Sequence, residues 1–124
     1  MVKRRILFID DEEAILRWLK LALERTGEYE VMTESQSQLA MRTVRQFKPE
    51  MVFVDINMPE KDGSSIAFEI RENPDFAKVP IVFLTGAVSN EEVEKSGGEI
   101  GGQLFLAKPI DMKKLVACIQ QCLH

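Results

Sequence analysis

Ile6-Leu7-Phe8-Ile9-Asp10-Asp11 is a run of apolar residues ending abruptly in two acids. An apolar stretch of strand length with no polar alternation reads as a strand covered on both faces. The pattern returns in Met51-Val52-Phe53-Val54-Asp55, Ile81-Val82-Phe83-Leu84-Thr85 and Leu104-Phe105-Leu106-Ala107-Lys108. A weaker, partly alternating run, Tyr29-Glu30-Val31-Met32-Thr33, reads as an edge strand. With Asp10, Thr33, Asp55, Thr85 and Lys108 as strand exits, the separations are 23, 22, 30 and 23 residues. A strand, a helix and two loops occupy about that much chain. The sequence therefore predicts five βα units: a parallel sheet with right-handed crossovers and helices on both faces.

The segments between the strands carry helical spacing. Glu12 to Arg25 places Ile15, Leu19, Ala22 and Leu23 on one stripe, with Gly27 as a stop. Ser37 to Phe47 offers Leu39, Ala40, Met41, Val44 and Phe47 before Pro49, and Ser64 to Asn73 offers Ile66, Ala67 and Ile70 before Pro74. The fourth helical segment, Asn90 to Ser96, is short and charged, and four glycines follow it: Gly97, Gly98, Gly101 and Gly102. The fifth, Asp111 to Leu123, opens on an N-cap candidate and carries Leu115, Val116, Ile119 and Cys122. Interior placement of the first, third and fourth strands and an edge position for the second fit the order 2-1-3-4-5; the fifth strand is ambiguous by this test. The fold class is thus α/β, a flavodoxin-like, doubly wound (βα)5 three-layer sandwich. Its ligand crevice is expected at the carboxyl ends of the first and third strands, where the strand order reverses.

Composition narrows the function classes. The chain has 124 residues, 45% hydrophobic and 29% charged, with 16 Lys plus Arg, 20 Asp plus Glu and a net charge of −4. That fits one domain with one sizeable core, residues 1–124, and no output domain is expected within it. No apolar run approaches the roughly 20 residues of a membrane span, and the basic start lacks the apolar core of a secretory signal. Mild acidity argues against direct nucleic-acid binding by the domain. Cys118 and Cys122 lie four apart, where a disulfide or half a metal site is conceivable. The only histidine is His124 and no second pair completes a zinc site, so reduced thiols in a cytoplasmic protein are expected.

The chemistry concentrates at the predicted strand ends. If the first and third strands are neighbours, Asp10, Asp11 and Asp55 converge at one rim. Like charges that close need a bound cation or a raised pKa. A hard, oxygen-seeking dication such as magnesium suits them. Thr85 and Lys108 add a hydroxyl and an ammonium, completing the parts of a phosphoryl-transfer site. A carboxylate can act as nucleophile, while the dication, the lysine and the hydroxyl neutralise phosphoryl oxygens.

These residues resemble the receiver domain of two-component response regulators over essentially the whole chain. Phe8-Ile9-Asp10-Asp11-Glu12 is similar to the acidic pair that closes the first strand of that family. Val54-Asp55-Ile56-Asn57-Met58-Pro59-Glu60-Lys61-Asp62-Gly63 resembles the phosphoacceptor segment, with Met-Pro and Asp-Gly at the family spacing. Phe83-Leu84-Thr85-Gly86 resembles the switch hydroxyl followed by a small residue, and Phe105-Leu106-Ala107-Lys108-Pro109 the fifth strand with its Lys-Pro. The resemblance implies phosphorylation of Asp55 by a sensor histidine kinase or histidine phosphotransfer protein. It implies Mg2+ held by Asp10, Asp11, Asp55 and the Asn57 carbonyl, with Asp11 the direct ligand and Asp10 acting partly through water. Thr85 and Lys108 would touch the phosphoryl group, Lys108-Pro109 would be cis, and Phe105 would pack inward as Thr85 shifts. The output surface would be the fourth helix, fifth strand and fifth helix, the surface of a homodimer as well. Ala87, two residues past Thr85, offers no polar group to orient a hydrolytic water, which implies a longer-lived phosphoryl state. Such a domain phosphorylates itself from a donor and dephosphorylates itself, and is not a conventional turnover enzyme.

Two other classes compete. A receiver-like binding or dimerisation module that works without phosphorylation would have lost an acid, the threonine or the lysine, and none is missing. A hydrolase or nucleotide enzyme on a similar sheet would place a glycine-rich phosphate loop after the first strand, where this chain has acids. Trp18 reads as amphipathic packing at the surface of the first helix.

Overall fold

The protein is described by a computed structural model covering residues 2–86, 99–100 and 103–123. The five expected strands form a parallel sheet: β1 (Arg4–Ile9), β2 (Tyr29–Glu34), β3 (Met51–Asp55), β4 (Ile81–Thr85) and, last in the series, β6 (Gln103–Ala107). Their order is β2-β1-β3-β4-β6, the predicted 2-1-3-4-5, with a reversal between β1 and β3. Beyond β6 lies an addition that the sequence reading lacked. A two-residue strand, β5 (Glu99–Ile100), pairs antiparallel with β6 through Glu99↔Leu104 and Ile100↔Gln103. Gly101-Gly102 separates the paired residues in sequence, and two glycines between strand-like residues are a hairpin signal.

Burial explains the order. Every residue of β3 and β4 is buried, as are Ile6 to Ile9 of β1, whereas β2 alternates at the edge. Period-two alternation divides these strands between two cores. Ile6, Phe8, Met51, Phe53, Val82 and Leu84 face α1 (Glu13–Glu24) and α4 (Met112–Cys122), meeting Leu16, Leu19 and Leu23 from α1 and Leu115 and Ile119 from α4. Leu7, Ile9, Val52, Val54, Ile81 and Phe83 face α2 (Ala40–Phe47) and α3 (Gly63–Glu72), meeting Ala40, Val44, Ile66, Ala67 and Ile70. Phe8 and Phe53 stack at the centre of the first core, ring centroids 4.8 Å apart.

The four described helices differ from expectation only in detail. The buried stripe of α1 is Leu16, Leu19 and Leu23, with Ile15 at its margin. The first turn of the second helix is a 3-10 turn, Ser37–Leu39. Asp111 caps α4 as predicted, accepting hydrogen bonds from Lys113 N and Lys114 N at 2.9 and 3.4 Å. Trp18 is 47% exposed on α1. Cys118 and Cys122 are both free, and burial pushes the Cys118 thiol up to about 12, so it is an inert part of the helix packing. The expected helix at Asn90 to Ser96, its glycines and Ala87 lie outside the described residues.

Candidate functional site

Strand register assembles the site. Ile9 pairs with Val54, so Asp10, one residue on, lies beside Asp55, which itself pairs with Leu84. Thr85 follows Leu84 and pairs with Ala107, and Lys108 continues β6 with its N–H donated to the Thr85 carbonyl at 2.9 Å. Four sequence-distant segments thus end at one rim. Alternation sends Asp10, Asp55 and Lys108 to the side of α1 and α4, and Thr85 to the side of Phe83 and Phe105.

Carboxylate oxygens of Asp10, Asp11 and Asp55 lie within 4.8 Å of one another. Asp10 is fully buried and Asp55 is 7% exposed, while Asp11 faces solvent. Lys108 Nζ is 2.7 Å from Asp10 Oδ2, 3.1 Å from Glu12 Oε1 and 3.5 Å from Asp55 Oδ2. Burial raises the Asp10 pKa despite the Lys108 contact, and burial followed by the Asp10 charge raises that of Asp55. Burial alone would lower the Lys108 pKa, but hydrogen bonds to Asp10 and Glu12 and the charges of Asp10 and Asp55 outweigh it and hold the pKa above its usual value. The lysine therefore carries its full charge beside Asp10 and Asp55, whose burial resists theirs.

A cation fits this donor set. Asp10 Oδ2 is buried, faces Lys108 and accepts no well-angled hydrogen bond. Three acids around one ammonium leave unbalanced negative charge, and all the donors are hard oxygens. The cluster could hold a magnesium-like ion.

The segment after Asp55 is shaped by two contacts. Asn57 N donates to Asp55 Oδ1 at 3.3 Å, and Gly63 N to the Ile56 carbonyl at 2.9 Å. A Cβ on Gly63 would sit 2.2 Å from the Asp55 carbonyl oxygen, so α3 must begin on a glycine. Ser37 Oγ donates to the Pro59 carbonyl at 2.7 Å, tying the 3-10 turn to this loop. A cleft of about 280 Å³, lined by Asp11, Gln36, Met58, Pro59 and Glu60, opens beside the rim. A larger cavity of about 560 Å³, lined by Arg5, Arg45, Lys48 and Phe76, lies elsewhere and holds none of the rim carboxylates.

The structure brings together Asp10, Asp11, Asp55 and Lys108, and sets Thr85 (1% exposed) at the adjoining strand end. Phe105 is half-buried and packs against Phe83, centroids 5.6 Å apart. The Lys108-Pro109 peptide is cis, as the resemblance implied. Among the described residues a Cβ on Gly86 would meet nothing within 4 Å. Sequence reasoning assigned no role to Glu12 or Ser37. The one available signal for Glu12 was its place directly after the acidic pair.

Comparison with known proteins points the same way. The family model for the response regulator receiver domain matches residues 6–120. A probable transcriptional regulator, ycf27 of Porphyridium aerugineum, is 35% identical over 124 residues, covering 100% of this chain and 50% of that protein. The alkaline phosphatase synthesis transcriptional regulatory protein PhoP of Bacillus subtilis is 31% identical, covering 99% of this chain and 50% of its own length. The chain spans about half the length of the curated relatives it matches. Among solved structures, the chemotaxis protein CheY4 of Vibrio cholerae superposes with a TM-score of 0.82 at 25% identity, covering 98% of this chain and 100% of that one.

Proposed function

The chain belongs to the response regulator receiver domain family, and from that premise we propose that it is switched by phosphorylation of Asp55. The observation that supports this best is the Lys108 ammonium 3.5 Å from Asp55 Oδ2, beside two further carboxylates at the rim. The donor is a phosphohistidine on a sensor histidine kinase or histidine phosphotransfer protein. An Asp55 carboxylate oxygen attacks phosphorus, the P–N bond breaks, and the imidazole leaves with the bonding pair and takes a proton. Reversal is hydrolytic: water attacks phosphorus, the P–O bond to Asp55 breaks, and inorganic phosphate leaves.

Lys108 neutralises charge on the phosphoryl oxygens, and the Thr85 hydroxyl donates to one of them. Asp11, Asp55 and the Asn57 carbonyl would hold Mg2+, with Asp10 acting partly through water. When bound, the ion supplies charge neutralisation during transfer. Thr85 and Phe105 then form the switch: movement of Thr85 toward the phosphoryl group opens space for the Phe105 ring, on the face the two residues share. Ala87 favours a long-lived phosphoryl state.

The output surface we propose is β6, α4 and the segment 90–96, which lies outside the described residues, and the same surface would serve a homodimer. Relatives named as transcriptional regulators make transcription the proposed output, with DNA contacted by something other than this acidic domain. Among the described residues no helix is long and apolar enough to cross a membrane. A cytoplasmic location accords with the proposed partners.

Incubation with acetyl phosphate and magnesium should place one phosphoryl group on the protein, with acetate as the leaving group. Chelation of the metal or an Asp55→Asn substitution should remove nearly all labelling. An Asp55→Asn protein that labels as well as wild type overturns the reading.

A further inference from the structure

Glu12 stands at the N-cap of α1, φ −86° and ψ 92°, yet its side chain makes no capping hydrogen bond. N-cap positions favour short Ser, Thr, Asp or Asn side chains that turn back onto the next N–H groups. Here the longer carboxylate crosses to a different strand end and accepts a hydrogen bond from Lys108 Nζ at 3.1 Å, 96 residues away in sequence. The start of the helix is held instead by Asp10, whose Oδ1 accepts from Glu12 N at 3.0 Å. The local helix rule is broken in favour of a contact with the site lysine, as happens at functional positions.

We infer that Glu12 is a positioning residue for Lys108, holding its ammonium back from Asp55 and so setting the rate of phosphoryl transfer. The inference rests on the reading of Asp55 as phosphoacceptor and deepens it. At rest the ammonium is closer to Asp10 and Glu12, at 2.7 and 3.1 Å, than to Asp55 at 3.5 Å. Pairing with a phosphoryl group on Asp55 requires the lysine to turn away from both. Asp10 belongs to the carboxylate cluster, where a cation would balance its charge; Glu12 is outside that cluster, with Lys108 Nζ as its hydrogen-bond partner at 3.1 Å. Its side chain is 56% exposed, so the hold on the lysine is weak enough to release.

The test uses the full chain as wild type, Glu12→Gln, Glu12→Asp and Glu13→Gln. Phosphorylation by acetyl phosphate is timed at saturating magnesium. The Lys108 ε-methylene signal is followed by NMR in carbon-labelled protein without donor. Glu12→Gln should raise kcat/KM for phosphorylation roughly two- to five-fold, the range of a partly exposed ion pair. Glu12→Asp should move the same way, because its carboxylate falls one methylene short of the contact while keeping the charge. Glu13→Gln should leave the rate unchanged, since Glu13 makes no contact with Lys108. Both Glu12 variants should shift the Lys108 signal with no donor present.

The inference is overturned if Glu12→Gln is no faster than wild type. It is overturned equally if Glu12→Asp matches wild type while both glutamine variants gain, which assigns the effect to overall charge. A wild type that takes no label while the Lys108 signal still answers to Glu12 sinks the phosphoacceptor reading and upholds the contact. A labelled wild type whose Lys108 signal ignores both Glu12 variants sinks the contact alone.

Discussion

Asp10 has no solvent exposure, and its nearest cation, Lys108, is shared with two other acids. Burial holds the pKa values of both Asp10 and Asp55 above the ordinary carboxylate value of 3.8. The folded state therefore binds these protons more tightly than the unfolded chain does. Their contribution favours folding below about 3.8 and is lost as pH rises through the raised values, leaving a stability cost at neutral pH. Asp10→Asn should accordingly raise Tm by a few degrees at pH 7 without metal, measured by thermal unfolding, and the gain should fade as pH falls toward 4. Millimolar magnesium should raise the wild-type Tm at pH 7 and lose that effect over the same fall in pH. An Asp10→Asn protein less stable than wild type at pH 7 would show that the Lys108 contact outweighs burial.

The helices and strands show what local pattern can carry. The all-apolar runs and their acid or Lys ends made the parallel strands legible, because period and burial are written in side-chain type. The start of α4 was legible at its cap, Asp111, whereas the cap of α3, Asp62, whose side chain accepts from Ser65 N at 2.8 Å, was not named and that helix was read as starting at Ser64. The 3-10 turn at Ser37 was not legible, because the Ser37–Pro59 contact that ties it to the next loop spans 22 residues. The buried stripe of α1 shifted to include Leu16 for a related reason: the sheet sets the helix's rotation, and periodicity alone leaves it one residue uncertain. At the start of α3, Gly63→Ala drives a Cβ against the Asp55 carbonyl. It should cost about 1–3 kcal/mol in urea unfolding and slow phosphorylation by displacing the acceptor backbone. An alanine variant as stable and as readily labelled as wild type would remove the steric reason for the Asp-Gly pair.

Across the molecule, one sheet separates two cores, and the rim chemistry rests on the rigidity of its central strands. Phe8 and Phe53 stack directly behind Asp10 and Asp55 along β1 and β3. Phe53→Ala should destabilise by about 3–5 kcal/mol in urea unfolding, and a cycle with Phe8→Ala should give a coupling near 1 kcal/mol. Coupling near zero would mean that the rings contribute only separately. What the amino-acid order determined alone was the five parallel strands, the four described helices, the placement of the first four strands, and the list of acids, hydroxyl and lysine at strand exits. Those follow from hydrophobic period and from which residues end each run, both local properties. Tertiary structure alone decided which carboxylate owns the lysine, how deeply Asp10 is buried, that Glu12 reaches Lys108 rather than capping its helix, and that a short antiparallel strand extends the sheet beside β6. Distances between strand ends set these outcomes through Coulomb energy and desolvation, and a linear chain holds neither until register and packing bring its distant parts within a few Å.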